Sequence, residues 1–411
     1  MKEYDTIIVG AGISGLAAAS TIYASNQDIV ILEARDRIGG RLSSERLPDG
    51  VLFERGGGMI HGTRNQMYTH IRELGIEIHE IKKAKSDIGI REGIQLFIIM
   101  LLLRLGLYPK PRLDESVTAY VNRLTFFPDN LKGFLDRVSK DIESFDKVSA
   151  RSIVNVLVQG LRDGEMYGDK DFIIKEGYVT FLNHLAKDLP ILLNHQVQKI
   201  RWKDEQVVVE TSQGSFRANK VVLTLPIPIL KKTTFEPELP SAKRQALSAH
   251  VSADILKILI PVPKKAFKTQ EEEGELEDAR HVPMWWRRNL PDDKPDDRQI
   301  LVGWTTGPYA RRFLNQPVED ALDMALHELS QVVDIEQIDR GEIVVQDWTK
   351  EEFSAGTYCY IKPGFDPHVV QDLARPLAQK LYFAGTATSK GGAHGAYESG
   401  LRVAQEILQR R

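Results

Sequence analysis

The feature that most constrains this chain lies at its start. Thr6-Ile7-Ile8-Val9 is a short β-branched run, and it feeds directly into Gly10-Ala11-Gly12-Ile13-Ser14-Gly15. From Ser14 the pattern turns helical, with Leu16, Ala19 and Tyr23 three or four residues apart, and Asp28 to Leu32 is again strand-like. Strand, tight turn, helix and strand in quick succession make a βαβ unit, which requires a parallel sheet. The G-x-G-x-x-G spacing in that context is a dinucleotide fingerprint. Gly10 permits the turn, Gly12 lets backbone approach a pyrophosphate, and Gly15 allows close helix–strand packing. The helix N-terminus supplies N–H groups and positive dipole to the phosphates. Glu33 ends the second strand, where a carboxylate can accept both ribose hydroxyls and disfavours a 2′-phosphate. That leaves FAD or NAD.

The far end of the chain has the same style. Leu381-Tyr382-Phe383-Ala384-Gly385 reads as a buried strand entering a glycine turn, and a helix follows with Ala396, Gly400, Ala404, Ile407 and Leu408 on one stripe. Both ends therefore build one nucleotide-binding unit, with a second unit inserted between. Residues 68–189 read as mostly helical, broken near Pro109–Pro111, Phe127-Pro128-Asp129 and Asp163-Gly164. Val207–Val209 and Val221–Leu223, separated by a turn at Ser212-Gln213-Gly214, suggest an antiparallel meander. Ile255–Val262 and Ile300–Trp304 suggest a second sheet. The acid-rich stretch Gln270–Asp297 between them reads as a solvated excursion. The fold class expected is α/β, in two domains: 1–85, 195–254 and 345–411 bind the dinucleotide, while 86–194 and 255–344 bind substrate.

Composition narrows the partners. Fifty-four Lys and Arg against 57 Asp and Glu give a net charge of −3, which argues against dedicated nucleic-acid binding. Cys359 is the only cysteine, so no intramolecular disulfide and no cysteine-built metal cage can form, and a reducing, cytoplasmic location is the simplest reading. Tyr4 opens a strand with no basic segment before it, so no targeting peptide is expected. The apolar run Leu96–Leu103 falls short of the ~20 residues of a membrane helix and is expected to be a buried or tunnel-lining helix in a soluble protein.

Downstream of Glu33 come Ala34-Arg35, Ile38-Gly39-Gly40-Arg41 and Glu54-Arg55-Gly56-Gly57-Gly58-Met59-Ile60-His61-Gly62. This pattern resembles the flavin-containing amine oxidase superfamily. A flat isoalloxazine on backbone needs residues without side chains beneath it, as the second glycine cluster offers. The likeness continues in order along the chain, through Gly177-Tyr178-Val179, Thr224-Leu225-Pro226, Lys257, Trp348, Phe353–Tyr358, Phe383–Thr388 and Gly395–Gly400. It implies a Rossmann-type FAD-binding domain with an inserted mixed sheet-plus-helix substrate domain. It implies FAD contacts at Gly10, Gly12, Ile13, Ser14, Gly15, Glu33, Ala34, Arg35, Gly40, Arg41, Gly57, Gly58, Met59, Val197, Gly385, Thr386 and Ala393. Lys257 matches the lysine that holds a water against flavin N5, although strand lysines usually snorkel to solvent. The activity implied is oxidation of an amine by hydride transfer to the flavin, giving an imine or aldehyde and, with molecular oxygen, hydrogen peroxide.

The departures matter as much. Thr357 stands where monoamine oxidases carry the cysteine bound covalently to FAD, so non-covalent FAD is expected. Tyr358 matches the first wall of the aromatic cage that orients the amine. The second wall should precede Ala393, but the chain there is shortened to Gly391-Gly392, leaving the cage half missing unless Trp285, Trp286 or Trp304 supplies it. Thr386 replaces a frequent acid. No arginine follows the second glycine cluster until Arg64, which favours an amine over an L-amino acid. Ile60-His61-Gly62 is similar to animal-type polyamine oxidases, where the histidine positions the cationic substrate; a structural histidine is the competing reading. Two further alternatives stay open: a desaturase- or protoporphyrinogen-oxidase-like flavoenzyme with a large apolar substrate, and a decayed flavin-binding protein.

Overall fold

The structure, a computed structural model, describes residues 2–81, 95, 98–99, 101–103, 105–124, 144–163, 170–203, 205–288, 290 and 297–409. An eight-stranded sheet forms the first layer. Its order is Thr234–Glu236, Val197–Arg201, Val207–Thr211, Gly214–Leu223, Lys2–Val9, Ile29–Leu32 and Ile191–Leu192, with Leu381–Phe383 pairing in parallel with the C-terminal half of Gly214–Leu223. The expected βαβ unit is there: Lys2–Val9 runs parallel to Ile29–Leu32 across the helix Ile13–Tyr23. The meander Val197–Arg201, Val207–Thr211 and Gly214–Leu223 is antiparallel. Ile7, Ile8, Val9 and Ile29–Leu32 are all buried because both sheet faces are covered, which explains their unbroken apolar runs. The C-terminal helix Gly392–Leu408 packs on the first helix, so the two chain ends do share one layer. Ile191 and Leu192, inside the segment 86–194, also pair with this sheet.

A second, antiparallel sheet has the order Glu273–Glu275, Met284–Arg288, Arg298–Thr306, Ile255–Pro263 and Val344–Asp347. Alternation sorts its faces. Leu256, Ile258, Ile260, Trp285 and Leu301 pack with Phe313, Ala321, Ala325 and Leu329 of two covering helices, Gly307–Leu314 and Val318–Leu329. Leu259, Ile300 and Val302 pack on the other face, with Phe53 and Trp286. Lys257 has the parity of Leu259, so the same two-residue period that buries Leu259 turns the lysine toward the glycine-rich segment after Phe53.

Three local expectations need correction. The segment 68–189 contains, besides helices, the strands Ile78–Ile81 and Asp171–Ile174, which join Ile60–His61 in a small antiparallel sheet. A four-residue apolar run has no period of its own to separate strand from helix; its partner, far away in sequence, decides. The acid-rich stretch is no mere excursion, since Glu273–Glu275 and Met284–Arg288 extend the second sheet to a charged edge; residues 291–296 lie outside the described ones. In the run Leu96–Leu103, partly outside the described residues, Leu103 is buried but Ile98 and Leu101 are exposed, so it is not a wholly buried helix. Among the described residues no helix is long and apolar enough to cross a membrane.

Candidate active site

The dinucleotide end is made of backbone. Gly10 has φ +102°, and a Cβ there would lie 2.6 Å from Thr224 Oγ1; a Cβ on Gly15 would overlap the Gly10 carbonyl oxygen. Both positions must therefore be glycine for the chain itself to pack. Gly12 differs, because a Cβ added to it would meet nothing within 4 Å. The space above Gly12 opens at the N-terminus of the helix Ile13–Tyr23, whose first N–H groups receive no side-chain cap. Free N–H groups, positive dipole and open space fit a pyrophosphate. Ile13 and Ser14 form that first turn, and Gly40 lies alongside, within van der Waals reach of Gly12.

Glu33 is buried. Its carboxylate accepts from Ala11 N at 2.7 Å and Arg35 N at 2.9 Å, which fixes it at the strand end. Arg35 in turn donates to Ser354 Oγ at 2.8 Å and lies over the Phe353 ring. Beside Glu33 an open cleft of about 540 Å³ is lined by Ala34, Arg35, Asn194, Gln196, Ser212 and Phe353. That volume and polarity suit a nucleoside. Val197 follows Gln196 and is half-buried, packing against the core below.

Arg41 joins this end to the next. Its guanidinium donates to the Thr357 carbonyl and to Thr386 Oγ1 at 3.2 Å, and burial pulls its pKa down. Thr386, where an acid was the expected residue, thus has a partner of its own. Gly385 N donates to Ser399 Oγ at 2.8 Å, and Ala393 sits half-buried in the first turn of the C-terminal helix.

At the opposite end Lys257 is only 5% exposed. Its ammonium donates to the Gly56 carbonyl and, at 3.3 Å, to the Glu54 carbonyl. It also lies 5.5 Å from the Trp286 ring centre and 5.8 Å from that of Trp304. Burial lowers its pKa to about 8, against the pull of the Glu54 carboxylate. Burial raises the Glu54 carboxyl in turn, although it accepts from Tyr178 N and Ser44 Oγ, each at 2.9 Å. The lysine does not snorkel; carbonyls of the second glycine cluster hold it.

Tyr358 is 40% exposed, and its ring centre is 6.4 Å from that of Trp304, at 56°. Trp304 meets Trp286 at 5.5 Å. Trp285, by contrast, is 1% exposed in the core on the other sheet face, so it cannot complete a cage. His61 pairs across the small sheet with Asp171, Nδ1 lying 3.1 Å from Oδ1. The buried Tyr178 donates its hydroxyl to the Met59 carbonyl at 2.9 Å. Gly57 is exposed, and Gly58 packs beside Glu54. Thr357 Oγ1 donates to the Ala253 carbonyl at 3.0 Å, and burial pushes the Cys359 thiol pKa up.

The structure thus gathers the predicted residues into two stations joined by Arg41. Sequence reading missed three participants: Glu54 beside the lysine, Asp171 as the partner of His61, and the contact of Trp304 with Tyr358. Glu54 sits in a motif already noted. The other two depend on strand register, which leaves no local mark.

The comparisons agree with this geometry. A model of the family described as flavin containing amine oxidoreductase matches residues 13–152 and 153–408. Among curated relatives, amine oxidase [flavin-containing] B of Sus scrofa is 24% identical, over 99% of this chain and 86% of its own. Polyamine oxidase 2 of Arabidopsis thaliana is 25% identical, over 100% of this chain and 89% of its own. Lysine-specific histone demethylase 1 homolog 1 of the same plant is 25% identical, and the chain spans only 52% of its length. The fold matches wild-type putrescine oxidase bound to putrescine (TM-score 0.79, 19% identity, 99% of both chains). It also matches cyclohexylamine oxidase from Brevibacterium oxydans IH-35A (TM-score 0.81, 21% identity, 99% of this chain and 98% of that one). With a βαβ nucleotide cradle, a buried lysine at a glycine cluster, and a family match covering nearly the whole length, the chain belongs to the flavin-containing amine oxidoreductases and takes flavin as its cofactor.

Proposed function

We propose that the chain binds FAD non-covalently and oxidises an amine, with molecular oxygen as the electron acceptor and hydrogen peroxide as a product. The observation that carries this is the buried Lys257, anchored on the Glu54 and Gly56 carbonyls and neighboured by aromatic rings. Gly10, Gly12, Ile13, Ser14 and Gly15 would hold the pyrophosphate, Glu33 the ribose, and Ala34, Arg35 and Val197 the adenosine side. Gly40, Arg41, Gly57, Gly58, Met59, Gly385, Thr386 and Ala393 would line the path to the ring. When bound, FAD supplies the electron sink for the α C–H of the amine. Non-covalent attachment is supported by Thr357, whose hydroxyl is engaged with Ala253, and by the burial of the Cys359 thiol, which disfavours its thiolate.

The residues divide the work. Lys257 places a positive charge in a water-poor site, where fixed charge acts strongly on charge that develops during reaction. Two carbonyls occupy two of its donors, leaving the third for a water or the cofactor. Tyr358 orients the amine, and His61, held by Asp171, positions the remainder of the substrate. The putrescine bound by one structural neighbour and the polyamine oxidases among the relatives support an amine with further nitrogen. The single cysteine supports a reducing, cytoplasmic setting. The test is direct. The purified protein should release yellow FAD on denaturation, its bound flavin should bleach anaerobically with members of an amine panel, and peroxide should appear on aeration. A flavin that no amine bleaches would overturn the reading.

A further inference from the structure

The second sheet carries an aromatic corner that needs an occupant. Trp304 lies directly opposite Lys257 in the strand register and opposite Met284 on its other side. Trp286 braces one side of the indole at 5.5 Å and 51°, which limits its rotation. Tyr358 meets it at 6.4 Å and 56°, an angle too open for stacking, so the two rings form a concave corner. On the helix side there is no competing wall, since a Cβ on Gly391 would meet nothing within 4 Å.

We infer that Trp304, together with Tyr358, is the surface against which the reacting amine packs, so that an indole from the second sheet stands in for a wall the C-terminal helix does not supply. The assignment rests on the amine oxidase reading and deepens it. An amine in this corner lies close to both rings and shares an indole with the Lys257 ammonium. Like charges repel in so dry a place, so the reacting nitrogen arrives neutral and its immediate substituents are uncharged and apolar. Any second cationic group of the substrate must extend away from the corner.

The probe is tert-butylamine, whose α-carbon has no hydrogen and which therefore binds without being oxidised. Its dissociation constant is read from the perturbation of the bound flavin spectrum, and FAD content is measured for each variant. Trp304→Phe keeps a ring and should bind within about threefold of the parent. Trp304→Leu keeps bulk without a π face, and Trp304→Ala keeps neither; both should bind at least tenfold more weakly, with FAD content unchanged. Trp304→Leu binding as tightly as the parent overturns the assignment, even if Trp304→Ala fails to fold. If the parent is bleached by amines but gives no spectral response to tert-butylamine, the saturation constants for bleaching by benzylamine decide by the same criteria. A parent bleached normally and variants indistinguishable from it would sink this assignment alone; a parent that responds to no amine would sink the amine oxidase reading as well.

Discussion

The two stations of the site are built by opposite strategies. At the dinucleotide end the functional groups are backbone N–H donors, a glycine turn and one carboxylate, all from residues 10–35. At the amine end they are side chains: Lys257, Trp304, Tyr358, His61 and Asp171 come from five different strands or loops. The first station is specified by what is missing at Cβ. The second is specified by register, since a slip of one residue would turn Lys257 and Trp304 into the opposite core. Substitutions should therefore act through sterics at one end and through chemistry at the other.

Gly15→Ala should have the largest effect. Its methyl would overlap the Gly10 carbonyl, costing on the order of 3 kcal/mol or more, so thermal unfolding of the apoprotein should itself shift. Gly12→Ala separates folding from binding three positions away. Its methyl meets only open space at φ −73°, so the apoprotein should melt as the parent does while FAD retention falls by about a hundredfold. Equal melting of the two variants would break the contrast between them.

At the amine end Lys257→Met should keep FAD but slow oxygen-dependent reoxidation by about a hundredfold in stopped-flow traces. The pH profile sharpens this. With the lysine pKa lowered to about 8, its positive charge is complete below that value and lost above it, so the parent's reoxidation rate should fall as pH rises through about 8. The Met variant should lack that inflection. Unchanged reoxidation in the variant would remove the role given to the lysine. Asp171→Asn should act least. It weakens the hold on His61 without touching the flavin, raising KM for a diamine by roughly fivefold and leaving kcat nearly unchanged. A fall in kcat instead would place the pair nearer the reacting carbon.

Legibility follows the same divide. Gly10–Gly15, Glu33 and the flanking strands were readable because each requirement is local: a positive φ, a close approach, a carboxylate at a strand end. Lys257 was readable only through family likeness, for a lone strand lysine carries no local sign of burial. Strand Asp171–Ile174 was misread as helical territory, and the run Leu96–Leu103 as wholly buried. Too few residues lie in either to show a period, and neither names its partner.

By itself the order of residues determined the nucleotide cradle, the parallel sheet around it and the pairing of the two chain ends in one layer. Steric demands within a few residues leave those no alternative. Only tertiary structure decided that the lysine is buried on glycine-cluster carbonyls, that Trp304 and not Trp285 meets Tyr358, and that His61 leans on Asp171. Each of these depends on which face of a strand turns inward and which distant strand lies beside it, and packing settles that across the whole chain.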